Sequence, residues 1–442
     1  MEILIKASQL ILSLSILILI HEFGHFIFAR MFKVRVEKFY LFFDIKFALF
    51  KYKPRNSDTE YGIGWLPLGG YCKIAGMIDE SMDTEMLKSE PQSWEFRSKP
   101  AYQRLLIMLG GVLFNVILAV FIYAGMLAYW GEEYLANEEV KYGILCDSTA
   151  IEMGFRDGDR VLAVNGKPVE SFFDIYRRMV LYREMDISLQ RGDKVVNISP
   201  DYYTYIPYMV KNNFIEPYIP FVVNSIPDSS VNKFSGLAAG DKVIGVAGVM
   251  TDNIREIKNI FSKNKGQTIE LKVLRGNIQV DIPVRVNDSG LIGVELKTDM
   301  REFFNYEKKN YSLLQAFPAG LKKAKTRLYD QLCELRLMAT PKSKTYKQVG
   351  SFISIGNIYS AQWDWHRFCD ITALLSIMLA VLNLLPIPAL DGGHVMFLLY
   401  EVITGRKPSD KFLTYAQVAG MIILLFIMIY AIGNDIVRHI LN

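Results

Sequence analysis

Four stretches of the chain are apolar for close to the roughly 20 residues that a helix needs to cross a bilayer. They run from about Ala7 to Ala29, Leu105 to Trp130, Phe368 to Leu385 and Phe412 to Ile432. Between the second and third, the pattern changes to short alternating runs broken by Gly and Asp, the signature of small β-rich units. The chain divides into a first span within 1–30, a loop over 31–104, a second span at 105–130 and two β-rich stretches at 140–205 and 215–298. After these come an amphipathic helix within 310–340, a third span with the loop that follows it at 366–395, and a fourth span at 412–432. The fold class expected is a polytopic α-helical membrane protein with an inserted β-rich pair.

The loop after the first span contains Tyr61-Gly-Ile-Gly-Trp-Leu-Pro-Leu-Gly-Gly-Tyr-Cys-Lys-Ile-Ala75. Turns at Pro67 and Gly69-Gly70 predict a β-hairpin apolar enough to dip toward the membrane, with an edge that can take up an extended segment by strand addition. In the β-rich region Gly154-Phe-Arg-Asp-Gly158-Asp159-Arg-Val161-Leu-Ala-Val164-Asn165-Gly166 recurs as Gly236-Leu-Ala-Ala-Gly240-Asp241-Lys-Val243-Ile-Gly-Val246-Ala247-Gly248. Such a period suits two tandem domains better than a solenoid. Each copy resembles a PDZ domain, over about Tyr142 to Pro200 and about Pro220 to Leu296. The second copy lacks the Asn-Gly turn signal, having Ala247 in place of Asn165. Further on, Leu314, Phe317, Leu321, Leu328, Leu332 and Leu335 form a helical stripe opposite Lys322, Lys323, Lys325 and Arg327. That pattern fits a helix on the membrane surface or on the protein's own core.

Composition agrees: 51% of residues are hydrophobic, high for a soluble protein. With 50 basic and 46 acidic residues and no basic stripe, nucleic acid is not a partner. Cys72, Cys146, Cys333 and Cys369 lack the spacing of a disulfide framework or a thiolate metal site. Basic residues flank one side of the spans: Arg30, Lys33, Arg35 and Lys38; Arg97, Lys99 and Arg104; Arg406, Lys407 and Lys411. The exit of the second span is acidic, at Glu132, Glu133, Glu138 and Glu139. The positive-inside rule then puts the 31–104 loop in the cytoplasm and both termini and the insert outside.

Chemistry enters at Ile20-His21-Glu22-Phe23-Gly24-His25, inside the first apolar segment. Positions i and i+4 of a helix share a face about 5–6 Å apart, so His21 and His25 can ligate one metal ion while Glu22 takes a proton from water. Two imidazoles and a carboxylate are costly in lipid, and metal coordination satisfies them. A second polar stretch, Asn383-Leu-Leu-Pro-Ile-Pro-Ala-Leu-Asp391-Gly-Gly-His394, breaks the helix after the third span. Irregular backbone at that depth is tolerated only where it is buried in protein or lines a cavity. A catalytic zinc needs a third protein ligand, and Asp391 or His394 can supply it, with His394 better suited to a supporting role.

Together, His21-Glu22-Phe-Gly-His25, Pro67-Leu-Gly-Gly-Tyr71, Gly111-x-x-x-Asn115 and Asn383-Leu-Leu-Pro-Ile-Pro-x-Leu-Asp391-Gly-Gly-His394 resemble the site-2 protease family of intramembrane zinc metalloproteases. The tandem PDZ-like insert resembles the bacterial regulator-of-sigma-E branch. The resemblance implies one zinc per chain held by His21, His25 and Asp391, with Glu22 as catalytic base. It implies that Asn383 contacts substrate or transition state and that the hairpin from Gly64 to Lys73 (Gly64, Leu66, Gly69, Gly70, Tyr71) clamps a substrate strand. Asn115, Gly111 and His394 would support the core. It further implies an enzyme of the bacterial inner membrane acting on single-span proteins, such as anti-sigma factors already cut outside the membrane, or on signal-peptide remnants. Peptides are possible ligands of the PDZ-like pair. Three departures from the family pattern touch substrate contacts and leave the metal motif intact: Val112, Met378 and Ser351-Phe352. A non-catalytic adaptor would have no use for Glu22, and a zinc transporter would spread His and Asp over several spans.

Overall fold

The computed structural model describes residues 1–67, 69–77, 90–211 and 213–437. The chain forms two compact units, Met1–Glu132 with Lys309–Asn442, and Glu133–Lys308.

The first unit is built around helices α1 (Glu2–Met31) and α2 (Ala101–Tyr129). They meet through glycines: a Cβ on Gly24 would stand 2.2 Å from the Gly110 carbonyl oxygen, and one on Gly110 2.6 Å from the Gly24 oxygen. Only bare backbone allows that approach, the way helices pack closely in lipid. Gln9, Ser13, Leu17, His21 and His25 form the buried face of α1. Two polar side chains of its N-terminal half reach other segments, Gln9 Nε2 donating to Ser360 O at 2.9 Å and Ser13 Oγ to Thr372 Oγ1 at 3.0 Å.

After α1 come four strands, β1 (Val36–Leu41), β2 (Phe43–Tyr52), β3 (Glu60–Leu66) and β4 (Tyr71–Ile74), in the order β2-β3-β1-β4. The expected hairpin across Pro67 to Gly70 is therefore corrected. β3 and β4 do not pair with each other: β1 lies between them, parallel to β3 and antiparallel to β4. The physical reason is burial, since Val36 and Tyr40 make β1 the strand with most to gain at the centre. The hairpin in this sheet is β2 with β3. Leu68, part of the expected turn, lies outside the described residues.

The longer helices that follow in this unit are α3 (Leu313–Met338), α4 (Trp365–Asn383), α5 (Asp391–Thr404) and α6 (Asp410–Ile436). Among the described residues four helices are long and apolar enough to cross a membrane: Glu2–Met31, Ala101–Tyr129, Trp365–Asn383 and Lys411–Ile436. Of the apolar stripe on α3, Leu328 and Leu335 pack against the cluster of Ala119, Tyr123, Ala324 and Ile377. Leu314, Phe317, Leu321 and Leu332 are exposed, whereas Ala316, Gly320 and Ala324 are buried. Small size decides this, because a Cβ on Gly320 would lie 2.6 Å from the Ala124 nitrogen of α2.

The second unit is a duplicated β-structure. Each copy has a four-stranded antiparallel sheet of the same order, from Lys194–Ile198, Ile187–Arg191, Arg160–Val164 and Lys167–Pro168 in the first. In the second it is Ile278–Arg285, Thr268–Arg275, Lys242–Val246 and Val249–Met250. Each copy adds a two-stranded pair, Ile144–Cys146 with Ile215–Pro217 and Val223–Ser225 with Glu295–Leu296. Residues 215–217 thus pair within the first copy, which moves the start of the second past the expected residue 215. The repeated Gly-Asp turns are superimposable in chemistry. Arg191 forks onto Asp159 and the Gly154 carbonyl, and Arg275 onto Asp241 and the Gly236 carbonyl, at 2.7–2.8 Å. Burial pushes the Asp241 carboxyl up, but the Arg275 fork and the Ala238 N–H outweigh it and hold the group below the usual range.

The turn at Asn165-Gly166 (φ +45° and +69°) recurs at Ala247-Gly248 (φ +50° and +82°) although Ala has no preference for it. Left-handed backbone costs an alanine about 1 kcal/mol or more. Ala247→Asn should therefore raise the thermal midpoint of the second unit in a calorimetric scan of the whole protein, whereas Ala247→Val should lower it.

Candidate metal centre

His21 and His25 stand one turn apart on the buried face of α1, and Asp391 is the first residue of α5. One ligating atom from each lies within 4.8 Å of the others. Asp391 Oδ2 is 3.1 Å from His21 Nε2 and 3.3 Å from His25 Nε2, and the two Nε2 atoms are 3.3 Å apart. The outer ring nitrogens settle what faces the centre. His25 Nδ1 lies 2.9 Å from the Ile107 carbonyl oxygen, which can only accept, so the proton is on Nδ1 and the Nε2 lone pair points at Asp391. His21 Nδ1 lies 3.1 Å from Asn115 Nδ2, and the oxygen of that buried amide has no partner. With the amide turned so that this oxygen accepts Nδ1–H, His21 also presents a lone pair. With both imidazoles neutral, two nitrogen lone pairs and Asp391 Oδ2 converge. A cation resolves that convergence.

The helix α2 shapes the centre along one face. Ile107 supplies the carbonyl, Asn115 the amide, and Gly111 the room: a Cβ there would stand 2.5 Å from His21 Cε1 and 2.6 Å from His25 Nε2. Asn115 is itself tied to α4, its carbonyl accepting from Ser376 Oγ at 2.7 Å. Asn383, the last residue of α4, brings its amide to 3.2 Å from His21 Nε2. The turn from there to Asp391 closes tightly because Gly392 and Gly393 have no side chains to meet the carbonyls of Leu385 and Ile387. His394 is not in the cluster and lines a small cavity farther along α5 with Arg104 and Glu401.

Glu22 receives the backbone N–H of Cys72 in β4. The residues expected to hold a substrate strand make mainly contacts within the sheet. Gly64 lies against the Phe43 carbonyl, Gly69 against the Phe43 ring, and Leu66 pairs with Phe43, while the Tyr71 hydroxyl donates to Asp44 at 2.9 Å. Gly70 lets the strand approach α1, since its Cβ would lie 2.6 Å from Ile18 Cγ2. Sequence reasoning missed the Ile107 carbonyl and the Cys72 amide, which are backbone groups without a residue signature. It also missed Gly24, whose place inside the His-Glu-x-x-His motif was the available signal.

Gly111→Ala should leave the protein folded but lower its zinc content, because the added carbon displaces both imidazoles. Metal analysis of the purified variant beside wild type checks this, and Val112→Ala, one residue along, should bind normally.

The model of Peptidase family M50 matches residues 9–427. The chain is 27% identical to the regulator of sigma E protease of Haemophilus influenzae over 483 residues, covering 99% of this chain and all of that protein. It is 27% identical to protease RseP of Yersinia pestis over 475 residues, with 99% and 100% covered. A match of this extent, over a chain with four membrane-grade helices and a clustered pair of histidines and an aspartate, places the protein in Peptidase family M50, the site-2 type of metalloprotease.

Proposed function

We propose that the protein hydrolyses a peptide bond within or near the membrane-spanning segment of single-span proteins, using zinc held by His21, His25 and Asp391. The observation that carries this reading is the convergence of three ligand atoms within 4.8 Å from two different helices, with Glu22 adjacent in sequence. Two imidazoles and one carboxylate suit zinc and leave a coordination position open, the pattern of a catalytic site. When bound there, zinc supplies Lewis-acid polarisation of the scissile carbonyl and makes water acidic enough to be a nucleophile near neutral pH.

The residues of the chain account for the remaining steps. Glu22 accepts the proton from the attacking water and delivers it to the leaving amine, and the Cys72 N–H fixes the orientation of its carboxylate. The Asn383 amide, beside His21, is placed to donate to the oxygen that gains charge during attack. A membrane helix hides its carbonyls in its own hydrogen bonds, so the substrate must be unwound locally. β4 is an edge of its sheet and touches Glu22, so strand addition there presents an extended segment to the base. By this reading Tyr71 and the glycines 64, 69 and 70 shape that edge, and Asn115, Gly111 and His394 support the core.

The 31–104 loop is assigned to the cytoplasm and both termini and the duplicated unit to the outside of a bacterial inner membrane, on the distribution of Lys and Arg. The duplicated unit, read as a PDZ-like pair, limits access to substrates that have lost a bulky outer domain. Anti-sigma-factor-like proteins are one such class, in keeping with a relative named a regulator of sigma E protease.

Glu22→Gln should retain one zinc per chain and lose cleavage of a model single-span substrate by at least about a hundredfold. Residual cleavage at the wild-type rate, measured on gels with purified protein, would overturn the role of Glu22. Deleting residues 142–296 should permit cleavage of untrimmed substrates, and unchanged selectivity would remove the filter from the account.

A further inference from the structure

The helix α5 meets the metal centre at one end only. Asp391 opens it, and Glu401 sits about 15 Å away along the axis, at 1.5 Å per residue. There Glu401 pairs with Arg104, in the first turn of α2. The guanidinium donates through Nη2 to Glu401 Oε1 and through Nε to the Lys99 carbonyl at 2.9 Å. Arg104 is only 6% exposed. A cavity of about 50 Å³ beside the pair is lined by apolar Phe96, Phe397, Leu398 and Leu413, with His394 and Lys407 among its polar walls.

Three features make this more than a buried ion pair. Arg104 stands on α2 at helical spacing from Ile107, Gly111 and Asn115, the positions that shape the histidine side of the centre. Between the two ends of α5, Val395 and Leu398 share an apolar cluster with Ile107 and Met108. Apolar packing of this kind sets proximity but has little directional preference along a helix in lipid. A buried, doubly anchored charge pair does have one, because any slide strands a charge.

Building on the assignment of Asp391 as the third ligand, we propose that Arg104 and Glu401 are positioning residues for the metal centre. Their contact fixes how far α5 slides along α2, and so the height at which Asp391 meets His21 and His25. The same α2 helix thus gauges both halves of the site, one face holding the imidazoles and its first turn holding the far end of the carboxylate's helix.

A double-mutant cycle on zinc affinity of the full-length protein, read by competition with a chelator, tests this. Glu401→Gln should weaken zinc binding about tenfold, the scale of an outer support to a metal ligand. In an Asp391→Asn background the same change should have no further effect, because the carboxylate it positions is gone. Equal weakening in both backgrounds, or none in the first, would overturn the proposal. Arg104→Met with Glu401→Gln removes both charges, so no orphan is left to unfold the protein. This pair should likewise weaken zinc about tenfold, and a wild-type affinity would count against positioning. Unchanged affinity on Asp391→Asn alone would instead overturn the ligand assignment on which the inference rests.

Discussion

Everything in the membrane part of this protein depends on making two lone pairs and a carboxylate oxygen tolerable in an apolar interior. Unsatisfied polar atoms cost several kcal/mol each there. The chain meets that cost by giving each ring nitrogen facing outward a fixed partner, the Ile107 carbonyl for His25 and the Asn115 amide for His21. The inner atoms are then left to one another and to a cation. Both partners lie on α2, as do the two glycines that let α1 approach and leave room for the rings. α2 carries none of the three clustered side chains, yet it is the template against which they are set.

The same logic explains why the residues around Asp391 are small or cyclic. A sharp reversal between α4 and α5 must put a carboxylate against His21 without pushing a side chain into the carbonyls of Leu385 and Ile387, which Gly392 and Gly393 permit. The reversal also sets Asn383 beside the centre at the end of a helix, its amide 3.2 Å from His21 Nε2.

Much of this was legible in the sequence for definite reasons. A fixed helical period puts His21 and His25 on one face, and membrane spans are set by length and apolar content, so both could be read directly. The duplication was legible because its turns need glycine and aspartate at fixed offsets. Illegible parts came from competition between segments. The 36–41 strand and the 71–74 strand each suit a place beside 60–66, and total burial, not turn chemistry, gave the place to the former. On α3 the large apolar residues caught the eye, but close packing favoured the small ones, Ala316, Gly320 and Ala324. At Ala247 the turn persists without its usual residue because the flanking strands and the Arg275 fork over-determine it.

The division of the ligands between α1 and α5 has a consequence for biosynthesis. His21, Glu22 and His25 leave the ribosome first, and Asp391 follows only after the whole duplicated unit, α3 and α4 have been made. Until then the nascent chain carries only two of the three clustered side chains, and under the proposed function its hydrolytic chemistry stays unassembled. Under the proposed function, proteolytic competence waits until α5 has been made, when the duplicated unit already exists.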